Sequence, residues 1–241
     1  MPVWMQALGW GLVAAAALPL GAIVGAAFRL PPRVVAGFMA FGAGTLIAAL
    51  GLVLMKQAHE SGRLDYVAAG FMAGVIAYTG ADVLIRRWVG GHRTRVRHTE
   101  RIGLAIAAGS FIDNLPEGAV IGMAVGTAGV DAALLVAVFA SNFPEALSSA
   151  ARMREAKRSP GYAIAVWSAI GCAAALASVV GHLAFGGSNG APVAVANSVA
   201  AGAILAMLAD TLIPEAYEEA HDYSGLITAL GFLAAFALHK P

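Results

Sequence analysis

Apolar runs of bilayer-spanning length alternate with short polar or basic breaks from one end of the chain to the other. A spanning helix takes roughly 20 predominantly apolar residues. The pattern predicts eight helices, near residues 3–28, 34–55, 66–88, 102–125, 132–152, 162–185, 193–216 and 224–238. The breaks are short, so residues 1–241 read as one transmembrane domain of an all-α polytopic membrane protein. The chain opens Met-Pro-Val-Trp-Met-Gln, without the basic stretch of a signal peptide. Its first apolar run is also too long for one, and is expected to stay as a span.

Composition narrows the class. Of 241 residues, 59% are hydrophobic and only 12% charged, against about 25% charged in a soluble domain. The mean hydropathy is +0.76. An ordinary soluble enzyme and a disordered tail are excluded. With a net charge of +1, so is bulk attraction to nucleic acid. The single cysteine, Cys172, excludes a disulfide framework or a multi-cysteine metal centre.

Charge also sets the orientation. Arg29 and Arg33 follow the first helix, Arg86, Arg87, Arg93, Arg95, Arg97 and Arg101 the third, and Arg152, Arg154, Lys157 and Arg158 the fifth. Only Lys56, Arg63 and Lys240 fall on the other side. By the positive-inside rule the basic loop 89–101 is cytoplasmic and both termini are extracytoplasmic.

The second helix, FGAGTLIAALGLVLMKQA (41–58), aligns with the seventh, VAAGAILAMLADTLIPEA (199–216). The matches include Ala43 with Ala201, Gly44 with Gly202, Ala48 with Ala206 and Leu50 with Leu208. By the charge reading the two run in opposite directions, which predicts a 3+2+3 inverted-repeat arrangement of the kind transporters use.

Acids inside the spans carry the chemistry. A charge at mid-bilayer costs about 2.5–3.5 kcal/mol on insertion scales, so it marks a pathway and needs a partner. Helix four reads FIDNLPEGA, with Asp113, Asn114, Pro116 and Glu117; helix five reads ASNFPEALSS, with Ser141, Asn142, Pro144 and Glu145. Both contain Asn-x-Pro-Glu. Asp113 and Glu117 are four apart and share a face, as do Ser141 and Glu145. Pro116 leaves the carbonyl of Ile112 without its helical partner, and Pro144 does the same to Ala140. In lipid a freed carbonyl must be satisfied internally. Carboxylate, amide, hydroxyl and carbonyl oxygens together suit a divalent cation. No Lys or Arg lies at this depth in the sequence, so a cation is the expected counter-charge.

At these residues the chain resembles the ZIP family of divalent-metal transporters. The resemblance covers nearly the whole chain: span count, orientation, paired motifs, the Pro-Glu-Ala at the end of helix seven and the basic third-to-fourth loop. It implies inward metal transport, zinc above all, across the plasma (inner) membrane. It assigns Asn114, Glu117, Asn142 and Glu145 to the metal site. Asp113 stands where the family usually has His, and Ser141 where it has His or Gln. That all-oxygen set leans towards harder ions such as manganese or ferrous iron. Helix six lacks an acid, so one main metal site is expected. The resemblance also implies an elevator in which helices one, four, five and six carry metal past two, three, seven and eight. A homodimer follows as well, with the small-residue faces of helices two and seven (Gly42, Gly44, Gly202, Ala206) serving either general close packing or the dimer.

Further candidates lie outside the motifs. Asp210, inside helix seven, is either a core polar group or a pathway residue. Glu215, Glu218, Glu219, His221 and Asp222 either receive metal leaving the pathway or form a solvated helix end. His92 and His98 sit in the basic loop. Asp82 is expected to pair with Arg86, and His182 to be a satisfied interface histidine. A membrane metal sensor or other non-transporting relative is the competing reading. An intramembrane metalloenzyme fits less well, because His-Glu-x-x-His and Gly-x-Ser-x-Gly are absent.

Overall fold

The computed structural model describes residues 2–90, 98–127 and 129–239, apart from the side chains of 86, 88–90, 98–108 and 219. His92, Arg93, Arg95, Arg97 and Lys240 lie outside the described residues, as do the side chains of His98, Arg101 and Glu219 and the predicted Asp82–Arg86 pair.

The described residues form helices and no strands. Eight long helical rods follow one another: α1 (Val3–Ala27), α2 (Pro32–Ser61), α3 (Leu64–Gly90), α4 (His98–Gly126), α5 (Ala132–Glu155), α6 (Pro160–Phe185), α7 (Ala191–Glu218) and α8 (Ser224–Leu238). Seven helices are long and apolar enough to cross a membrane, and α4 has 29 residues. Large apolar side chains such as Ile76, Leu84, Leu183 and Leu226 stand exposed on the outside of the bundle. In water that surface would be costly; in a bilayer it is the solvated one. The chain is therefore a multi-pass membrane protein.

Several expected boundaries move, each for a local reason. The first helix is interrupted at Ala16, because Pro19 has no N–H to return to the carbonyl of Ala15. The second runs to Ser61 instead of stopping near 55. Its polar last turns stay helical because Ala58 is buried against Val67 and Ala194. The seventh continues through Ile213–Ala220 and ends at His221, whose φ is 38°. The third and fourth rods reach further into the basic segment than expected, to Gly90 and from His98. Both α2 and α7 loosen into a π-helical turn, at Leu50–Met55 and Leu208–Leu212. In α7 the following Pro214 withholds the N–H that would pair with the carbonyl of Asp210.

Between helices in lipid there is little hydrophobic driving force, so small residues and close backbone approach carry the packing. A methyl group on Gly74 would strike the carbonyl of Val199, and one on Gly202 that of Phe71, so α3 and α7 cross backbone to backbone. The α2–α8 crossing repeats this, with Gly44 over Thr228 and Gly231 over Phe41. Gly25 of α1 lies over Leu147 of α5, and Gly181 of α6 over Ala119 of α4. Helices α1, α4, α5 and α6 thus pack on one another, as do α2, α3, α7 and α8, and α2 also lies along α5. The small faces of α2 and α7 serve close packing here: Gly42, Gly44, Gly202 and Ala206 are buried within the chain. The central apolar core, including Leu46, Ile121, Leu134 and Ile204, lies where α2, α4, α5 and α7 meet.

Candidate metal-binding site

The two Asn-x-Pro-Glu segments face each other. Asn114, Glu117, Ser141 and Asn142 are each at most 2% exposed, and Asp113 is also buried. Glu117 of α4 accepts a hydrogen bond from the Ser141 hydroxyl of α5 at 3.4 Å and faces the Asn142 side chain. In return, Glu145 of α5 reaches Ser110 of α4. Asp113 lies within electrostatic range of both glutamates. Glu117, Ser141 and Asn142 therefore meet across the α4–α5 contact, with Asp113 and Glu145 within electrostatic range of Glu117.

Helix periodicity explains how. Ser110, Asn114 and Glu117 recur at spacings of four and three, which places them on one stripe of α4. Asn114 donates from Nδ2 back to the carbonyl of Ser110 at 2.8 Å. Ser141 is shared between Glu117 and the carbonyl of Val138, 3.0 Å away. These bonds spend the donors of the cluster and leave oxygens over. Asn114 Oδ1 and Glu117 Oε2 are buried with no hydrogen-bond partner. A buried polar atom without a partner costs about 1–3 kcal/mol. Among the described residues no ion pair reaches Glu117 or Glu145. A cation is one kind of partner that would satisfy several lone pairs at once.

The donor set is mixed. Among the described residues no three His, Cys, Asp or Glu side chains cluster closely enough to hold a metal ion by themselves. An ion here would draw on amide and hydroxyl oxygens as well as carboxylates. Such ligands bind hard divalent ions and let them go again more readily than imidazole or thiolate would.

Two cavities flank the site. A polar one of about 700 Å³ opens at the Arg-rich end, lined by Arg29, Met39, Ser148, Arg152, Glu215 and others. Ser148 lies three residues beyond Glu145, so this cavity approaches the site along one face of α5. Arg152 crosses it, donating to Glu215 at 2.7 Å and so joining α5 to α7. The other cavity, about 820 Å³, is an apolar cleft between α3, α4 and α7 that reaches Tyr78, Ile112 and Pro116.

The outlying candidates divide. Glu215 is paired with Arg152 but remains within electrostatic range of Glu145. Asp210 is exposed and is not among the groups acting on Glu117 or Glu145. His221 is exposed too, edge-on to Tyr217. His182 is corrected: its Nδ1 is buried without a partner, because its ring is turned towards Gly186 at the end of its own helix.

Sequence reasoning missed three residues. Ser110 continues the stripe of Asn114 and Glu117, and its spacing could have revealed it. Tyr78 donates its hydroxyl to Asp113 Oδ1 at 2.7 Å, and Thr211 Oγ1 lies 3.5 Å from the same hydroxyl. These two sit on distant helices inside apolar runs, with no spacing to mark them.

A comparison with protein-family models found no match, and a comparison with curated proteins found none.

Proposed function

We propose that the protein is a transporter that carries divalent metal cations into the cytoplasm across the plasma (inner) membrane, in the manner of the ZIP family its motifs resemble. The observation that carries this reading is Glu117. It is a carboxylate buried at a helix–helix contact, facing oxygens of the opposite helix, with one oxygen left unsatisfied. Asp113, Asn114, Glu117, Ser141, Asn142 and Glu145 form the cargo site. The ion is zinc by resemblance, and manganese or ferrous iron by the oxygen-only donor set. The polar cavity at the Arg-rich end is the route to the cytoplasm. The apolar cleft is not a route, since its walls offer an ion nothing to replace its water.

The inverted repeat is part of this reading. Alignment pairs Phe41 with Val199 and Gly44 with Gly202, and these same pairs hold equivalent places in the α2–α8 and α7–α3 crossings. The π-helical turns at Leu50 and Leu208 are paired as well. Two groups of four helices, each closely packed within itself, support an elevator in which α1, α4, α5 and α6 move against the rest.

Manganese and zinc uptake into proteoliposomes tests it. Glu117→Ala and Glu145→Ala are expected to lose uptake while remaining folded; undiminished uptake in both would falsify the reading. The mixed donor set keeps one competitor in view, a relative that senses or only weakly binds metal. Calorimetric binding of either ion without uptake in the wild type would favour that competitor.

A further inference from the structure

We propose that Tyr78 is the positioning residue of the cargo site, setting the orientation of Asp113 from a neighbouring helix. This rests on the transport reading above and deepens it. Tyr78 is buried on α3, outside the helix pair that carries the motifs. Its hydroxyl donates to Asp113 Oδ1 at 2.7 Å and stands 3.5 Å from Thr211 Oγ1 in the π-helical turn of α7. A phenol has one proton to give, and the shorter contact to the carboxylate takes it. Thr211 is then left to donate to the phenol oxygen, which makes a chain from Thr211 to Tyr78 to Asp113.

The two acids of α4 have different neighbours. Glu117 lies 3.4 Å from the Ser141 hydroxyl and faces Asn142 on α5. The flank of α4 beside Asp113 borders the apolar cleft instead, where Ile112 and Pro116 line open space against α7. A hydrogen bond to one oxygen fixes the carboxylate plane and therefore where the second oxygen points. Partners behind a metal ligand are commonly worth 10–100-fold in affinity for this reason. The bond also spans the boundary between the two helix groups. It holds only while α4 keeps this register against α3, so the orientation of Asp113 is coupled to the position of the carrier.

Tyr78→Phe keeps the ring and removes only the hydroxyl. In proteoliposomes its KM for Mn2+ is expected to rise on the order of tenfold, with the maximal rate and the melting temperature in detergent unchanged. Thr211→Val is expected to raise KM by a smaller factor, and it tests the same chain should Tyr78→Phe fold poorly. In an Asp113→Ala background, Tyr78→Phe should add nothing, because it acts through Asp113. An unchanged KM in both variants, or an equal further loss in the Asp113→Ala background, overturns the assignment. Glu117→Ala run alongside separates the two levels. If it transports normally, the cargo site itself is wrong. If it is inactive while Tyr78→Phe and Thr211→Val keep the wild-type KM, only the role of Tyr78 falls.

Discussion

Pro116 and Pro144 each remove one rung from their helices, and the two vacated carbonyls belong to differently packed surroundings. The carbonyl of Ala140 in α5 lies directly against α2, where a methyl group on Gly42 would come within 2.6 Å of it. The corresponding residue of α4, Ile112, borders the 820 Å³ cleft that separates it from α7. The alignment of α2 with α7 pairs Gly42 with Ala200, and Ala200 lines that cleft. At Gly42 a glycine lets the helices close; at Ala200 a methyl group stands at the aligned position. A shared motif thus sits on one helix that closes on α2 and on another that closes on α6 but borders a cleft towards α7. A shared local motif does not fix how its helix packs; the residues facing it do.

The largest effect is expected from Glu117→Gln and Glu145→Gln, which keep the size and remove the charge from both halves. Uptake of radiolabelled manganese should fall to background in each. If only one of them matters, the two motifs do not form a joint site. Next comes Gly42→Val. Overpacking a closed contact costs about 1–3 kcal/mol, so its unfolding midpoint in detergent should drop clearly. Ala200→Val should cost less than about 1 kcal/mol, because the cleft has room for the added methyl groups. Equal losses would show that α7 closes on α4 as tightly as α2 does on α5.

Asp113→His changes the chemistry of the α4 motif instead of its packing. Imidazole at this position should shift uptake selectivity from manganese towards zinc, read by competition between the two ions. An unaltered preference would remove Asp113 from direct contact with the cargo. The smallest effect is expected from Arg152→Ala. Its pair with Glu215 is partly exposed, and such pairs are worth about 0–1 kcal/mol. Stability should barely move, and KM should stay at the wild-type value.

Much of the site was legible before the fold. The spacing of Asp113, Asn114 and Glu117, and of Ser141, Asn142 and Glu145, is enough to place each set on one helix face. Their meeting followed from two adjacent antiparallel helices with a short connection. Boundaries were read less well where polar residues stayed helical, as at Lys56–Ser61, because burial of a single alanine outweighed the loss of apolar character. At Asp210 the limit is related: hydropathy reports depth along a helix but not burial, and this side chain is exposed.

The chain by itself determined the class of molecule, its spans and the chemical identity of its buried oxygens, because these depend on local composition and on a helical period of 3.6 residues. The tertiary structure alone decided which carboxylate is held by which neighbour. Tyr78, Asp113 and Thr211 are brought together from three helices by backbone crossings at glycines, and that convergence depends on contacts between residues 35 to 133 positions apart. No periodicity within one helix encodes such a distance. The cleft beside α4 has the same origin, since residues of α3, α4 and α7 line it together.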